Sequence, residues 1–225
     1  CPILIQICEQ DAIAPVRAAE AAAARAGNRA TVVRYPVGHF DVYLDDQRVG
    51  FHRVIVNQAA DKKRVQVEAK FDIKFLAFTA YKYRHRADET WSNDCIVQLD
   101  TRTNDNGKEL TVEAQSAPKG LRVLTPDESE YIDGCVRTFA YWDPGLLQSQ
   151  RLLNTQTGEY ELASLNKVDN TPLVFKGQEY GATRYKLRVE DKADIQLWYT
   201  PDNRWEALQT EVSGGKILRY VRKEA

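Results

Sequence analysis

From Phe40 to Arg222, apolar and polar residues alternate with a period of two over stretch after stretch. That spacing places successive side chains on opposite faces of a strand, so each stretch predicts a β-strand with one buried face. Asp41-Val42-Tyr43-Leu44 and Arg48 to Val56, linked by Asp45-Asp46-Gln47, read as a hairpin. Residues 63–74 alternate through Val65, Val67, Ala69, Phe71 and Ile73, and in 78–91 a Tyr81, Tyr83, His85 face stands opposite Lys82, Arg84 and Arg86. Ile96 to Leu99 leads to Asn106-Gly107, a two-residue hairpin signal, with 109–115 as the return strand. Shorter strands are predicted at 121–124, 129–132 and 135–140. Tyr141 to Gln150 interrupts the series: Asp143 is placed to cap, and Pro144 to begin, one short helix that should plug one end of the sheet. Strands resume at 159–168, 172–176, 179–190, 194–200, 204–212 and 216–222. About a dozen strands on short turns make a mainly β fold, a curved antiparallel sheet or incomplete β-barrel with one short helix.

Residues 1–39 follow another pattern. Pro2 to Cys8 is a continuous apolar run of the kind buried on both faces of a parallel sheet. Pro15 is placed to open a helix, Val16 to Ala26 is alanine-rich, and Gly27-Asn28 is a C-cap signal. Thr31 to Tyr35 is a second strand, which predicts a small β-α-β appendage with a right-handed crossover. The chain therefore reads as an appendage over 1–39 and a β domain over 40–225. Cys1 lies directly inside an apolar run, the pattern of a fragment or a processed product.

Charge narrows the partners. Lys plus Arg total 31 against 32 Asp plus Glu, and a formal net charge of −1 provides no field to collect nucleic acid. No apolar run approaches the roughly 18–20 residues of a membrane helix, so no membrane span is expected. The four cysteines include no C-x-x-C pair. Cys95 and Cys135 lie in the β-rich part and could form a disulfide in an exported protein or remain two buried thiols; spacing does not choose between these.

Two stretches at the start carry a family resemblance. Cys1-Pro2-Ile3-Leu4-Ile5-Gln6-Ile7-Cys8-Glu9-Gln10-Asp11 is similar to the last strand and acid loop of an α/β-hydrolase, and Tyr35-Pro36-Val37-Gly38-His39-Phe40-Asp41 to its histidine loop. The resemblance implies Asp11 as the triad acid and His39 as the general base. No G-x-S-x-G nucleophile elbow occurs in the 225 residues, so hydrolysis would need a serine from the β domain or from a partner chain. Residues 40–225 resemble a different group, through Phe40 to Asp45 with Arg48 to Arg53, Lys74 to His85, Thr138 to Pro144 with Arg151 to Gly158, and Asp194 to Tyr199. That group is an uncharacterised bacterial family of all-β domains of unknown function. The resemblance implies a periplasmic or secreted curved-sheet protein, related in outline to carriers of lipid or lipoprotein, and brings no activity. A gene fusion, a recombination event or an assembly artefact at Phe40-Asp41 would each account for the junction.

The candidate chemistry is aromatic. Large rings at alternating positions can gather on the concave face of a curved sheet and line an apolar groove. The expected ligand-binding set is Tyr81, Tyr83, Trp91, Phe139, Tyr141, Trp142, Arg151 and Trp198, with Tyr199 and Trp205 in the same aromatic group. The plain alternative is that these rings fill a core. His52 and His85, each flanked by arginine, suit a polar cluster with Tyr83 and Asp72 at one end of the barrel; no carboxylate or thiolate stands at chelating spacing, so neither metal nor cofactor is expected. The function this predicts is a non-enzymatic binding or carrier module for an apolar or amphipathic small molecule or lipid, working outside the cytoplasm. A partial hydrolase using Asp11 and His39, and a purely structural accessory domain, are the alternatives.

Overall fold

The computed structural model describes residues 3–8, 30–35, 37–59, 62–75, 78–190 and 193–223. Two short strands, β1 (Ile3–Cys8) and β2 (Ala30–Tyr35), pair in parallel with Ile3 opposite Ala30. The helix expected over Val16 to Ala26, and Asp11, lie outside the described residues.

The β domain is built on β3 (Val37–Leu44), β4 (Gln47–Ala59), β5 (Lys62–Phe75), β6 (Phe78–Ser92), β7 (Cys95–Asp105), β8 (Lys108–Ala117), β9 (Gly120–Leu124) and β10 (Ser129–Asp133). Its second half comprises β11 (Arg151–Leu153), β12 (Tyr160–Asp169), β13 (Leu173–Phe175), β14 (Gln178–Tyr180), β15 (Thr183–Val189), β16 (Ala193–Tyr199), β17 (Trp205–Val212) and β18 (Lys216–Arg222). All but β13 and β14 join one 14-stranded antiparallel sheet in the order β10-β9-β8-β7-β6-β5-β4-β3-β18-β17-β16-β15-β12-β11. The sheet therefore starts at Val37 rather than Phe40, and its centre is the pairing of β3 with β18, Leu44 opposite Leu218. Each half is a meander running outward from that seam. The Asn106-Gly107 turn forms as expected, both residues at positive φ (51° and 97°), the geometry of a tight hairpin.

The sheet is strongly curved and does not close. Register shifts interrupt the ladders between Val42 and Tyr43, Ile73 and Lys74, Thr90 and Trp91, Lys167 and Asp169, and Trp198 and Tyr199. Such bulges bend a strand and raise its twist, which supplies the curvature. At the first of them Gly50 leaves room for the β5 backbone: a Cβ there would meet the Lys70 carbonyl oxygen at 1.8 Å.

Alternation sorts the two faces. Along β6, Tyr83, His85, Ala87, Glu89 and Trp91 are buried inward, while Arg86 and Asp88 face water. Outward charges pair across strands, as Arg53 with Glu68 at 2.8 Å and Arg84 with Asp72 at 2.7 Å, exposed contacts worth at most about 1 kcal/mol each. The short β13–β14 hairpin packs Phe175 and Tyr180 on Trp198, Ala207 and Val221, and so covers part of the outer face.

The chain between β10 and β11 is a strap rather than a strand. The strand expected over 135–140 reduces to a single bridge, Thr138 to Leu153. The Ile96 amide of β7 donates to the Val136 carbonyl (2.9 Å), and the Leu153 amide of β11 donates to that of Arg137 (2.8 Å). The backbone groups of 135–140 thus satisfy two distant strands instead of forming a ladder of their own. A disulfide joins Cys95 to Cys135 at the same place. The expected short helix follows as a 3₁₀ turn, Pro144–Gln148, with the Asp143 carboxylate accepting from the Gly145 amide (3.3 Å) and from Arg137 Nη1 (2.8 Å). Its Leu146 is buried against Phe40, Leu152 and Leu187. The segment expected as one strand over 179–190 is split at Gly181, whose φ of 70° turns the chain between β14 and β15.

Because the disulfide spans 40 residues and ties the strap to β7, Cys135→Ser should lower stability by about 2–4 kcal/mol. Urea unfolding followed by tryptophan fluorescence measures this, and an unchanged midpoint would remove the strap from the stability of the sheet.

Candidate ligand cavity on the concave face

Inside the curve lies a partly open cavity of about 390 Å³. The strands β4, β5 and β6 form one wall, β15 to β18 the other, and the strap with the turn at Asn154 to Gln156 crosses between them. The volume falls in the range of about 300–1,000 Å³ usual for small-molecule sites.

A chain of rings organises the wall. Trp205 stacks on Phe40 with centroids 3.9 Å apart and meets Tyr141 at 5.3 Å; its indole N–H donates to the Ala207 carbonyl (2.9 Å). His52 stands edge-on to Trp205 at 5.8 Å and beside Tyr220 at 5.4 Å. Tyr220 continues to Phe71 at 5.8 Å, and Phe71 stacks on Tyr83 at 4.9 Å. Trp142, at the strap, meets Trp91 edge-on at 5.4 Å.

Burial disfavours the charged form of several polar groups on this wall. Burial holds the His52 imidazole down to about 3, with smaller contributions from His85 and His39. Burial also holds His85 down to about 4, and its Nδ1 shares a hydrogen bond with Thr103 Oγ1 at 2.8 Å. The Glu89 carboxyl is pushed up to about 7 by burial, against an opposing hydrogen bond from the Trp91 indole N–H to Oε2 at 2.7 Å. The phenols of Tyr83, Tyr141 and Tyr220 are all raised by burial first, and then Tyr83 by Tyr81, Tyr141 by Glu161 and Tyr220 by Tyr83. Among the described residues no hydrogen bond is made by the His52 ring nitrogens or by the hydroxyls of Tyr83 and Tyr220. His52, Tyr141 and Tyr220 are only half-buried by surface area although burial dominates their titration. The two observations agree if their accessible surface belongs to the cavity, which all three line.

Of the residues expected to bind ligand, Tyr83, Phe139, Tyr141 and Trp142 line this cavity. Four do not. Tyr81 donates its hydroxyl to Asp105 (2.7 Å) at the rim of a neighbouring core, and Trp91 is buried beneath Glu89. Arg151 is exposed and lies over the Tyr160 ring at 4.8 Å. Trp198 points to the opposite face, under the β13–β14 hairpin, where its indole N–H donates to Thr171 (3.0 Å); its neighbours Leu197 and Tyr199 alternate inward instead. His52 and His85 do share the cavity with Tyr83, but Asp72 is outside, paired with Arg84. Trp205, placed in the same aromatic group from the sequence, also lines the cavity, whereas Glu89, Glu161 and Tyr220 were not selected for the site. A carboxylate in the buried phase of an alternating strand, Glu89 at i+4 from His85, was the available signal.

His39 is on the outward phase of β3, stacked on Phe51 at 5.8 Å, and is not part of the cavity. Its pKa is lowered by burial and then by Lys223. Among the described residues no serine hydroxyl hydrogen-bonds to it, and Asp11 lies outside them, so no triad is seen. Among the described residues no three of His, Cys, Asp and Glu gather as metal ligands, and no helix is long and apolar enough to cross a membrane.

A family model described as a domain of unknown function, DUF6134, matches residues 40–223. The chain belongs to that family. The DUF6134 match begins where the sheet's buried inner phase begins, at Phe40, and leaves residues 1–39 outside it. A search of curated proteins finds no match. Among solved structures, the DUF6134 domain is similar to a β-barrel-like protein of the domain of unknown function DUF1849 from Brucella abortus. The TM-score is 0.59 at 7% identity, over 84% of this chain and 95% of that one, a likeness of fold alone.

Burying His52 and His85 neutral makes stability depend on acid. Unfolded imidazoles titrate near 6.5, above the folded values of about 3 and about 4, so the unfolded state takes up protons first and stability falls as pH drops from about 6.5 toward 4. Thermal unfolding between pH 7 and 4 should show the melting temperature falling, and His85→Gln should flatten the curve. Parallel profiles for the two proteins would rule out His85 as a source.

Proposed function

We propose that this domain is a non-enzymatic binding or carrier module for an apolar or amphipathic small molecule, held in the concave cavity. The carrying observation is the cavity itself: about 390 Å³, lined by several rings, with the His52 ring nitrogens and the hydroxyls of Tyr83 and Tyr220 on its wall bonded to no described residue. A core whose only task is packing closes around its side chains at near-crystalline density and leaves no such space. An apolar body against the rings, with one or two hydrogen bonds to His52 or a tyrosine, would answer both features. Residues 1–39 are proposed as a separate appendage. Work outside the cytoplasm is part of the proposal and is supported by the Cys95–Cys135 disulfide, a bond that persists in oxidising compartments.

Gentle native mass spectrometry of protein purified without detergent should find a co-purifying small molecule or, after its removal, uptake of Nile red. Ala69→Phe, which puts a ring into the cavity from β5, should reduce that uptake at least about tenfold while circular dichroism stays unchanged, at an overpacking cost of about 1–3 kcal/mol. Unaltered uptake by Ala69→Phe, or no uptake by the parent protein, would refute the reading. Quenching thiols in living cells checks the compartment: labelled Cys95 and Cys135 would place the domain in a reducing one.

A further inference from the structure

The charges around the cavity restrict the polar end of whatever it holds. Carboxylates line it, Glu89 from β6 and Glu161 from β12, and among the described residues no lysine or arginine does. Two cations beside the strap are already paired: Lys63, whose ammonium also lies 5.9 Å from the Trp142 ring centroid, with Asp94 at 2.8 Å, and Arg137 with Asp143 at 2.8 Å. The remaining ionisable groups that line the cavity with Glu89 are His52 of β4, Tyr83 and His85 of β6, Tyr141 of the strap and Tyr220 of β18. None of these offers a positive charge near neutral pH, since both imidazoles are held neutral by burial. A free carboxylate or phosphate would enter with no counter-ion and with two carboxylates in the wall, so its desolvation would go uncompensated.

The same wall suits a cation. Glu89 is 6% exposed and has Oε2 fixed by the Trp91 indole, while among the described residues no hydrogen bond reaches Oε1. Trp91 in turn stands edge-on to Trp142, which lines the same cavity as Glu89. Across the cavity Glu161 lies near enough to raise the Tyr141 phenol. A carboxylate beside aromatic faces, away from bulk water, is the arrangement that holds an ammonium group by ion pairing and cation–π attraction together.

Resting on the binding reading above, we propose that the cavity selects an apolar molecule bearing a protonated amine, its ammonium paired with Glu89, over one bearing a free carboxylate or phosphate. Amine binding is then linked to protons. The empty site holds Glu89 up to about 7, and a bound ammonium favours the carboxylate, so below that pH binding must release a proton. Amine affinity rises with pH up to about 7 and levels off above it.

A chain-matched series separates this inference from the reading beneath it. Decylamine, decanol and decanoate are titrated against Nile red bound to the intact chain at pH 8 and at pH 6. Decylamine should bind at least about tenfold more tightly than decanoate at pH 8. It should weaken by up to about tenfold at pH 6, while decanol stays constant. Glu89→Gln should erase both the amine preference and its pH dependence, with an unchanged circular dichroism spectrum as the check on folding. Decanoate binding as tightly as decylamine, or a Glu89→Gln protein that keeps the amine preference, overturns the inference and leaves the binding reading standing. Failure of Nile red and all three ligands overturns both.

Discussion

A sheet of 14 strands that curves without closing must cover its concave face, and here the covering is one segment, the strap from Cys135 to Gln150. The topology makes this so. Because β3 pairs with β18, the first and last strands of the domain meet at the middle of the sheet, and the middle of its sequence is left at the two outer edges. The chain has to cross from β10 to β11 there, and it does so across the concave face. It gives its carbonyls to β7 on one side and β11 on the other, and its Val136, Ala140 and Leu146 to the cores beneath. The disulfide fixes the point where the crossing begins. The cavity is what remains between the strap and the sheet.

The wall of that remainder differs from the cores on either side of it. Around Leu99, Val112 and Val123 the interior is aliphatic and closed. Around Phe40, Leu152 and Leu197 it is closed by Leu146 of the strap. Between them stand His52, His85 and Glu89, each in the less solvated of its charge states, and phenols raised by the same burial. Holding these groups neutral opposes folding by several kcal/mol in the pH ranges where the unfolded chain would ionise them. Leucine or phenylalanine at the same positions would carry no such cost. Polar groups that are costly to bury and lie on a cavity wall are the usual mark of a site rather than of a core.

The fold was largely legible and the site only in part, for a physical reason. Period-two alternation needs only the sequence, and it located nearly every strand, the Asn106-Gly107 hairpin and the Asp143-Pro144 turn. It failed at 135–140, where an apolar pattern serves a strap whose hydrogen bonds go to two remote strands, and at Gly181, where one alternating run is folded into two strands. For the site, alternation says which side chains share a face but not which face is concave. Tyr83 and Trp198 are equally aromatic and equally buried; one lines the cavity, and the other lies under the β13–β14 hairpin. Alternation puts Trp198 on the face opposite Leu197 and Tyr199, and residue order does not say that the β13–β14 hairpin covers that face. A carboxylate in an inward register, as Glu89 is, carries more information than another aromatic.

Likeness of fold at 7% identity cannot carry a function, because curved β-sheets host unrelated activities and the similar protein is itself described only as a domain of unknown function. What discriminates must come from residues on the concave face. Aromatic content does not, since rings serve the outer hairpin as well as the cavity. Volume alone does not, since an imperfectly packed barrel also leaves space. The combination that neither accident explains is space bounded by Glu89, His52 and Tyr220, polar groups on a concave wall whose described lining holds no lysine or arginine. A wall so arranged distinguishes ligands by the charge at their polar end before it distinguishes them by length.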